Sequence, residues 1–397
     1  MTAPFTAAEV TRLHDRLAPH VESGSMPGLV ALVARGGHVH VDSVGHVAFG
    51  SSTAMAPDSV FRIASLSKAV AGAATMLLID EHRLRLDQPV TDFLPELADM
   101  RVLRSLESEL DNTAAAVRPI TVEDVLTYRL GTGMAASMAL GGDTPIQRAE
   151  RELELRTFGP PWPPSPHEPD EWIRRLGSLP LLAQPGTEWL YNTGAQVLGV
   201  LIERASRIPL ADFLAERLFE PLRMIDTGFT IRADQRERMT TAYFPDRVGD
   251  GLTEFDGITG FWSAPPAMPN LAGWLLSTIA DFWQLVQMIT SGGVHRGRRL
   301  LSEAAVQAMT TDHLTPAQRR AGRLFLGEHC GWGYSVSVPA GPSASIADGV
   351  GWNGGAGTTW RSDLRQGTTA ILFTQRMMTS PEPPAAFADL FTVVDEM

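Results

Sequence analysis

Residues 61–68 read Phe-Arg-Ile-Ala-Ser-Leu-Ser-Lys, and an apolar run from Ala69 to Ile79 follows them. The run is too short to span a bilayer and instead predicts a buried helix. Residues three apart on a helix lie on one face, so we expect Ser65 and Lys68 to be neighbours. The exposed N–H groups at the start of such a helix favour negative charge that develops there. The segment therefore predicts a serine and a lysine side by side at a helix N-terminus.

The protonation state of the lysine decides what this pair can do. A serine hydroxyl is a weak nucleophile until an adjacent base takes its proton. A lysine can be that base only if its pKa falls, which burial and nearby positive potential achieve. Of the 33 basic residues in the chain, 32 are arginine and only Lys68 is lysine. Because arginine does not deprotonate in proteins, this single exception favours a general base over a chance Ser-x-x-Lys.

The sequence patterns near both ends of the chain predict strands with flanking helices. The segments are a helix over 10–21, a hairpin of strands over 29–34 and 39–41 turning at Gly36-Gly37, paired strands over 358–361 and 368–375, and a helix over 387–394. Apolar residues recur at helical spacing in the two helices, and they alternate with polar residues on the return strand of the hairpin. Together they predict one antiparallel sheet built from the two termini.

The middle of the chain predicts a second, mainly helical lobe. A loop over 159–164, Gly-Pro-Pro-Trp-Pro-Pro, interrupts it, because prolines remove backbone donors and restrict φ. Its Trp162 is expected either on the surface or in contact with an apolar substrate. The predicted fold class is α+β, an antiparallel sheet flanked by terminal helices plus a mainly helical lobe. We predict a single domain over 1–397, with an α/β lobe of 1–65 and 250–397 and a helical lobe of 66–249.

Two further motifs supply candidate site residues. Tyr191 follows a Pro-Gly turn and precedes an apolar helical run, where its hydroxyl could relay protons beside Lys68. On spacing alone, a structural tyrosine is the simpler interpretation. Residues 351–358, Gly-Trp-Asn-Gly-Gly-Ala-Gly-Thr, cluster glycines that would let the backbone approach a ligand. An N–H group there could join the Ser65 N–H in an oxyanion hole, although a glycine-rich turn is the commoner explanation.

Taken together, the three motifs resemble those of the class C β-lactamase and penicillin-binding-protein family. Residues 65–68 are similar to its Ser-x-x-Lys motif, and residues 191–193 are similar to its Tyr-x-Asn motif. Trp352-Asn353-Gly354 stands where the family has Lys-Thr-Gly, which its esterase branch, the family VIII carboxylesterases, often replaces by Trp-Gly-Gly. The motifs occur in the family's order.

The resemblance implies a β-lactamase/transpeptidase-like fold with the site between an α/β lobe and a helical lobe. It implies that Ser65 is the acylated nucleophile and that Lys68 and Tyr191 form the proton-transfer pair. The N–H groups of Ser65 and Gly355 would hold the oxyanion, with 352–355 as the oxyanion and substrate-binding segment. Which of Lys68 and Tyr191 is the base in each half-reaction stays open. No cofactor and no metal are implied.

Two departures from the family pattern bear on the substrate. Thr193 replaces the asparagine of the second motif, so an amide that would hold an acylamide substrate is missing. Trp352 replaces a lysine that would pair with a substrate carboxylate, a contact worth about 1.5–3 kcal/mol. We therefore predict a carboxylesterase acting on small neutral acyl esters. The alternatives are a β-lactamase or D-amino-acid peptidase, an acyltransferase that uses the same acyl-enzyme, and a non-catalytic binding module.

Composition excludes several other classes. A net charge of −12 argues against nucleic-acid and membrane partners, so the expected partner is a small-molecule ester. The single cysteine, Cys330, allows neither an internal disulfide nor a cysteine-based metal site. The chain has no Gly-x-Ser-x-Gly, His-Glu-x-x-His or phosphate-loop motif. Its N-terminus does not have the pattern of a secretory signal, so we expect a cytoplasmic location. No pattern indicates an oligomeric state.

Overall fold

The computed structural model of the protein describes residues 4–139, 141–158, 162–246 and 251–397. The strands are β1 (Gly28–Arg35), β2 (His38–Gly45), β3 (Phe61–Arg62), β4 (Arg101–Leu103), β5 (Thr113–Ala115), β6 (Ala242–Pro245), β7 (Leu252–Asp256), β8 (Leu276–Ser277), β9 (Val294–His295), β10 (Arg298–Arg299), β11 (Cys330–Trp332), β12 (Ser337–Pro339), β13 (Val350–Gly354), β14 (Thr358–Asp363) and β15 (Thr368–Thr374).

The α-helices are α1 (Ala7–Glu22), α2 (Ser67–Asp80), α3 (Val122–Leu126), α4 (Ala136–Ala139), α5 (Pro145–Glu152), α6 (Pro169–Gly177), α7 (Thr193–Ser206), α8 (Leu210–Leu214), α9 (Glu220–Leu222), α10 (Ile279–Thr290), α11 (Glu303–Met309), α12 (Pro316–Ala321), α13 (Arg323–Leu326) and α14 (Ala385–Asp395). A π-helical segment, Ala215–Phe219, joins α8 to α9. Short 3₁₀ segments are Ala64–Leu66, Val90–Asp92, Pro95–Leu97, Ala233–Arg238, Phe261–Ser263 and Ile346–Asp348.

Strands from the two ends of the chain form one antiparallel sheet. Its seven strands lie in the order β11-β12-β13-β14-β15-β1-β2. The N-terminal β1 pairs with the C-terminal β15, with Leu32 opposite Ile371, and with its hairpin partner β2. The α+β fold class predicted from the sequence is therefore confirmed.

The sequence of the interior strand β1 is apolar almost throughout because both of its faces are buried. Residues on one of its faces, such as Leu29 and Ala31, pack with the terminal helices α1 and α14. Residues on the other face, such as Val30 and Leu32, pack into the main core together with Phe282 of α10. Because a strand exposes alternate residues to opposite faces, a strand buried on both sides needs apolar residues at every position.

The helical part of the chain is organised around α2. All of its residues from Ser67 to Leu78 are buried, and it packs against α7 and α11. The contact between α2 and α7 brings the segment that precedes α2 close to the segment that precedes α7. These two segments contain Ser65 and Tyr191, which are far apart in sequence.

Some predictions from the sequence are not tested by these observations. The boundary placed between the two lobes at 249/250 lies outside the described residues, as do positions 159–161 of the proline-rich loop, and the assignment of one domain over 1–397 stays a prediction. Within the described ranges, no helix combines the length and apolar character needed to cross a bilayer. The cytoplasmic location stays a prediction.

Candidate active site

Ser65 lies in a sharp turn between a short strand and the buried helix. The strand β3 pairs with β8, and the Ile63 N–H donates to the carbonyl of Leu275. Ala64 then adopts a φ of 46°, a left-handed conformation that costs a non-glycine residue about 1–2 kcal/mol. Such strain persists where the surrounding structure holds it, often at functional sites. The turn leaves Ser65 half-buried in the 3₁₀ segment that leads into α2.

Lys68 is fully buried behind Ser65. Its Nζ lies 2.9 Å from Ser65 Oγ and 3.0 Å from Asn192 Oδ1, and it also contacts the carbonyl oxygen of Ala272. Full burial of the amine penalises its charged form, and the pKa of Lys68 is lowered well below its usual value. The burial predicted to activate this lysine is thus present.

The hydrogen bonds of Lys68 are consistent with a neutral amine. Such an amine has two N–H donors and one lone pair. Lys68 Nζ donates to Ser65 Oγ, Asn192 Oδ1 and the Ala272 carbonyl oxygen. In the neutral form, Asn192 Oδ1 and the Ala272 carbonyl would accept the two N–H groups, and the lone pair would be free to take the Ser65 hydroxyl proton. The other acceptor near this hydroxyl, the Ala272 carbonyl, is 3.4 Å from Ser65 Oγ. A neutral Lys68 is therefore placed to act as a base toward Ser65.

Tyr191 approaches the same serine from the segment before α7. Its hydroxyl donates to Ser65 Oγ over 2.9 Å and accepts the indole N–H of Trp352 over 2.8 Å. Both hydrogen bonds lower the pKa of Tyr191, but desolvation has the larger effect and raises it to about 12. At neutral pH Tyr191 is thus a phenol with a proton to donate, whereas burial shifts Lys68 toward its neutral form.

Asn192 is a site residue whose role the sequence motifs did not reveal. It has φ 83° and ψ −59°, and the Thr193 N–H donates to the Tyr191 carbonyl across this tight turn. The Asn192 amide donates to the Thr157 carbonyl over 3.3 Å, which turns its oxygen toward Lys68. The signal available in the sequence was weak: an asparagine, which tolerates left-handed backbone, next to the candidate tyrosine. Asn192 is only 3% exposed, so it does not replace the substrate-facing amide that Thr193 lacks.

This contact leads to a prediction for pH dependence. Replacing Asn192 with Asp keeps the size of the side chain and places a carboxylate beside Lys68, which should raise the pKa of Lys68. Because the base must be neutral, the acid limb of kcat/KM for ester hydrolysis should move to higher pH, by about one pH unit or more. Rate profiles of the wild type and Asn192→Asp, with melting temperatures to confirm folding, measure this shift. An acid limb that does not move in a folded variant would contradict a role of Asn192 in setting the charge of Lys68.

The glycine-rich segment approaches the serine turn from the sheet. A Cβ on Gly354 would clash with the Ile63 carbonyl oxygen, and Thr358 Oγ1 donates to that same oxygen over 2.9 Å. The end of β13 is thus held against the residues before Ser65, and the half-buried Gly355 follows directly. The side-chain oxygen of Asn353 accepts from Thr359 Oγ1 across the hairpin.

Aromatic rings surround the polar centre. Phe325 stacks on the ring of Tyr191 with centroids 4.8 Å apart, and Lys68 Nζ lies 4.7 Å from the centre of that ring. Trp352, which is 6% exposed, lies 5.6 Å from Tyr191 by ring centroids. Neither Phe325 nor Ala272 is indicated by the sequence, because nothing in their local pattern links them to Ser65.

Two further kinds of reactive group are the side chains that can bind metal ions and the single cysteine. In this part of the chain, no three His, Cys, Asp or Glu side chains are arranged to hold a metal ion. Cys330 is buried, and this burial raises the pKa of its thiol, which disfavours the reactive thiolate.

Comparisons with known proteins find a family model, related sequences and a similar fold. A profile of the family described as Beta-lactamase matches residues 13–393. Protein Rv1367c of Mycobacterium tuberculosis is 35% identical over 357 residues, which cover 86% of this chain and 84% of that protein. Esterase EstB of Burkholderia gladioli is 27% identical over 381 residues, covering 91% and 89%. The solved structure of EstCE1, a hydrolase with promiscuous acyltransferase activity, matches with a TM-score of 0.79 at 20% identity over 98% of both chains.

Proposed function

Because this chain belongs to the beta-lactamase family and is a serine hydrolase, we propose that it is a carboxylesterase acting on small neutral acyl esters. One observation carries the proposal. Ser65 Oγ lies 2.9 Å from both Lys68 Nζ and Tyr191 Oη, and the group that bonds Tyr191 from the third motif is an indole, not a cation. This arrangement would provide a nucleophile, a base and an acid, and the Trp352 indole carries no charge that could pair with a substrate carboxylate.

In the proposed acylation step, neutral Lys68 takes the hydroxyl proton of Ser65 as Oγ attacks the ester carbonyl carbon. The N–H groups of Ser65 and Gly355 would stabilise the negative charge that develops on the carbonyl oxygen. When the carbon–oxygen bond to the alcohol breaks, Tyr191 gives its phenolic proton to the departing oxygen. The ammonium of Lys68 then returns a proton to Tyr191, so the net transfer is from Ser65 to the alcohol.

Deacylation would use the same groups with water as the nucleophile. Water enters where the alcohol left, its proton passes through Tyr191 and Lys68, and Ser65 Oγ is reprotonated as the acid leaves. The pKa directions support this division of labour, because burial favours the neutral amine of Lys68 and the protonated phenol of Tyr191. We accordingly assign the base of the first step to Lys68.

A second candidate is acyl transfer from the same acyl-enzyme to an alcohol other than water. The similarity to EstCE1 favours including it, since that hydrolase has promiscuous acyltransferase activity. The proposed chemistry is the same except for the acceptor. Product analysis with a competing alcohol in the reaction separates ester hydrolysis from acyl transfer.

The test of the proposal is a panel of p-nitrophenyl acetate, butyrate and octanoate, with the β-lactam nitrocefin in parallel and Ser65→Ala as the control. We expect ester turnover that disappears in the control, and slow or no nitrocefin hydrolysis. Intact-protein mass spectrometry should detect a butyryl adduct in the wild type and none in Ser65→Ala. Fast nitrocefin hydrolysis with poor ester turnover would instead support the β-lactamase alternative.

A further inference from the structure

Trp162 lies against the glycine that the proposed function assigns to the oxyanion hole. A Cβ built on Gly355 would be 3.8 Å from Trp162 Cη2, which is van der Waals contact. Trp162 is half-buried, so part of it faces open space. An acyl group bound with its carbonyl oxygen at Gly355 would therefore meet the edge of this indole.

An aromatic layer packs against Trp162. Phe255 of β7 lies 5.5 Å from Trp162 between ring centroids, and Trp262 lies 6.4 Å away. Trp262 in turn stacks on Trp274 with centroids 4.2 Å apart and planes inclined by 15°. This layer limits the movement of Trp162 toward Phe255 and Trp262, because the packed rings already occupy that side of the indole.

A buried ion pair ties this layer to the serine turn. Arg62, three residues before Ser65, donates through Nε to Asp256 Oδ2 over 2.8 Å, and both side chains are buried. The guanidinium also donates to the carbonyl of Gly257 over 3.0 Å and lies 5.1 Å from the ring centre of Trp262. Arg62 thereby fixes the end of β7 and the residue after it against the turn that contains Ser65.

The aromatic neighbours of Trp162 are separate from those of Tyr191. Within the described residues, Tyr191 has ring contacts with Trp189, Phe325 and Trp352, and none of these rings contacts Trp162. In the proposed mechanism the alcohol must leave beside Tyr191, because Tyr191 protonates it. The acyl group stays on Ser65 and would then extend along the rings of Trp162, Phe255 and Trp262.

We infer that Trp162, backed by Phe255, forms the end wall of the acyl pocket and restricts this enzyme to short acyl chains. The inference rests on the proposed esterase function. It makes Trp162 a specificity-determining residue and not a catalytic one. A smaller side chain at this position would open the pocket toward Phe255 without disturbing Ser65, Lys68 or Tyr191.

The experiment compares kcat/KM for p-nitrophenyl acetate and octanoate in the wild type, Trp162→Ala, Trp162→Phe and Phe255→Ala. We expect the octanoate-to-acetate ratio to rise about tenfold or more in Trp162→Ala, since apolar pocket contacts discriminate on that scale. Trp162→Phe should give a smaller rise, and Phe255→Ala should change the ratio in the same direction. Phe244→Ala is the matched control, because this exposed ring on β6 should leave the ratio unchanged.

The outcomes separate this inference from the proposed function. Absent ester turnover in the wild type would reject the esterase assignment, and turnover that survives Ser65→Ala would reject Ser65 as the nucleophile. Turnover that depends on Ser65, with an octanoate-to-acetate ratio unaltered in the Trp162 and Phe255 variants, would overturn the acyl-wall inference alone. If Trp162→Ala does not fold, the octanoate-to-acetate ratios of Trp162→Phe and Phe255→Ala decide whether the acyl-wall inference holds.

Discussion

Replacing Lys68 with arginine is expected to lower kcat/KM for p-nitrophenyl butyrate by about a thousandfold, because general-base catalysis is lost. Arginine stays protonated at any pH that the protein tolerates, so it offers no lone pair to the Ser65 hydroxyl. Arginine would also bring a larger, permanently charged group into a slot where Lys68 is 0% exposed. Steady-state kinetics on the butyrate ester, together with thermal unfolding, measure both consequences.

Lys68→Met serves as the matched control for that experiment. Methionine is unbranched and apolar, so it fits the buried slot without a charge, yet it cannot accept a proton. We expect Lys68→Met to fold with a melting temperature near or above that of the wild type, and to be as inactive as Lys68→Arg. Wild-type-like turnover in either variant would remove Lys68 from the mechanism.

Replacing Tyr191 with phenylalanine is expected to lower kcat/KM by about 10²–10⁴-fold, the range for loss of a general acid–base group. The size of the loss should depend on the leaving group. p-Nitrophenolate departs without protonation, whereas an alkoxide needs the Tyr191 proton. The loss should therefore be markedly greater for ethyl butyrate than for p-nitrophenyl butyrate.

The phenylalanine introduced by this change would keep the ring that stacks on Phe325, so the fold should persist. Trp352→Phe is the companion variant, since it removes the indole N–H that bonds the Tyr191 hydroxyl but keeps an aromatic ring. That N–H lowers the Tyr191 pKa, so its loss should make Tyr191 a weaker acid and slow the turnover of ethyl butyrate more than that of p-nitrophenyl butyrate. Equal losses for the alkyl and nitrophenyl esters in Tyr191→Phe would contradict its role as the acid of the leaving group.

Much of the fold was predictable because its signals are local. The hairpin over 29–41 combines a continuous apolar strand with a return strand in which apolar and polar residues alternate. The helix after Ser65 is an apolar run. Both elements appear in the structure. That the strands of the two termini share one antiparallel sheet was also predictable, whereas the specific pairing of β1 with β15 is seen only in the structure. The proximity of Ser65 and Lys68 followed from helical spacing alone.

The rest of the site was not predictable from these patterns. At Thr193 the sequence indicates only that the family's asparagine side chain is missing. The side-chain amide that accepts from Lys68 belongs to the neighbouring residue, Asn192, whose positive φ turns the backbone there. At Trp352 the sequence indicates only that the family's lysine is missing. The structure shows that the indole N–H of Trp352 donates to the Tyr191 hydroxyl. Neither contact follows from the residue types, because each depends on the direction of a side chain in three dimensions.

Local sequence patterns were enough to predict that Ser65 and Lys68 are neighbours and that strands from both termini share one sheet, since residues a few positions apart obey the fixed geometry of helices and hairpins. Which groups surround Ser65, and in which direction burial shifts their pKa values, depends on the tertiary structure. Asn192 meets Lys68 across 124 residues, and Trp352 meets Tyr191 across 161. No local period links residues so far apart, and the burial that lowers the pKa of Lys68 and raises that of Tyr191 exists only after the core has closed around them.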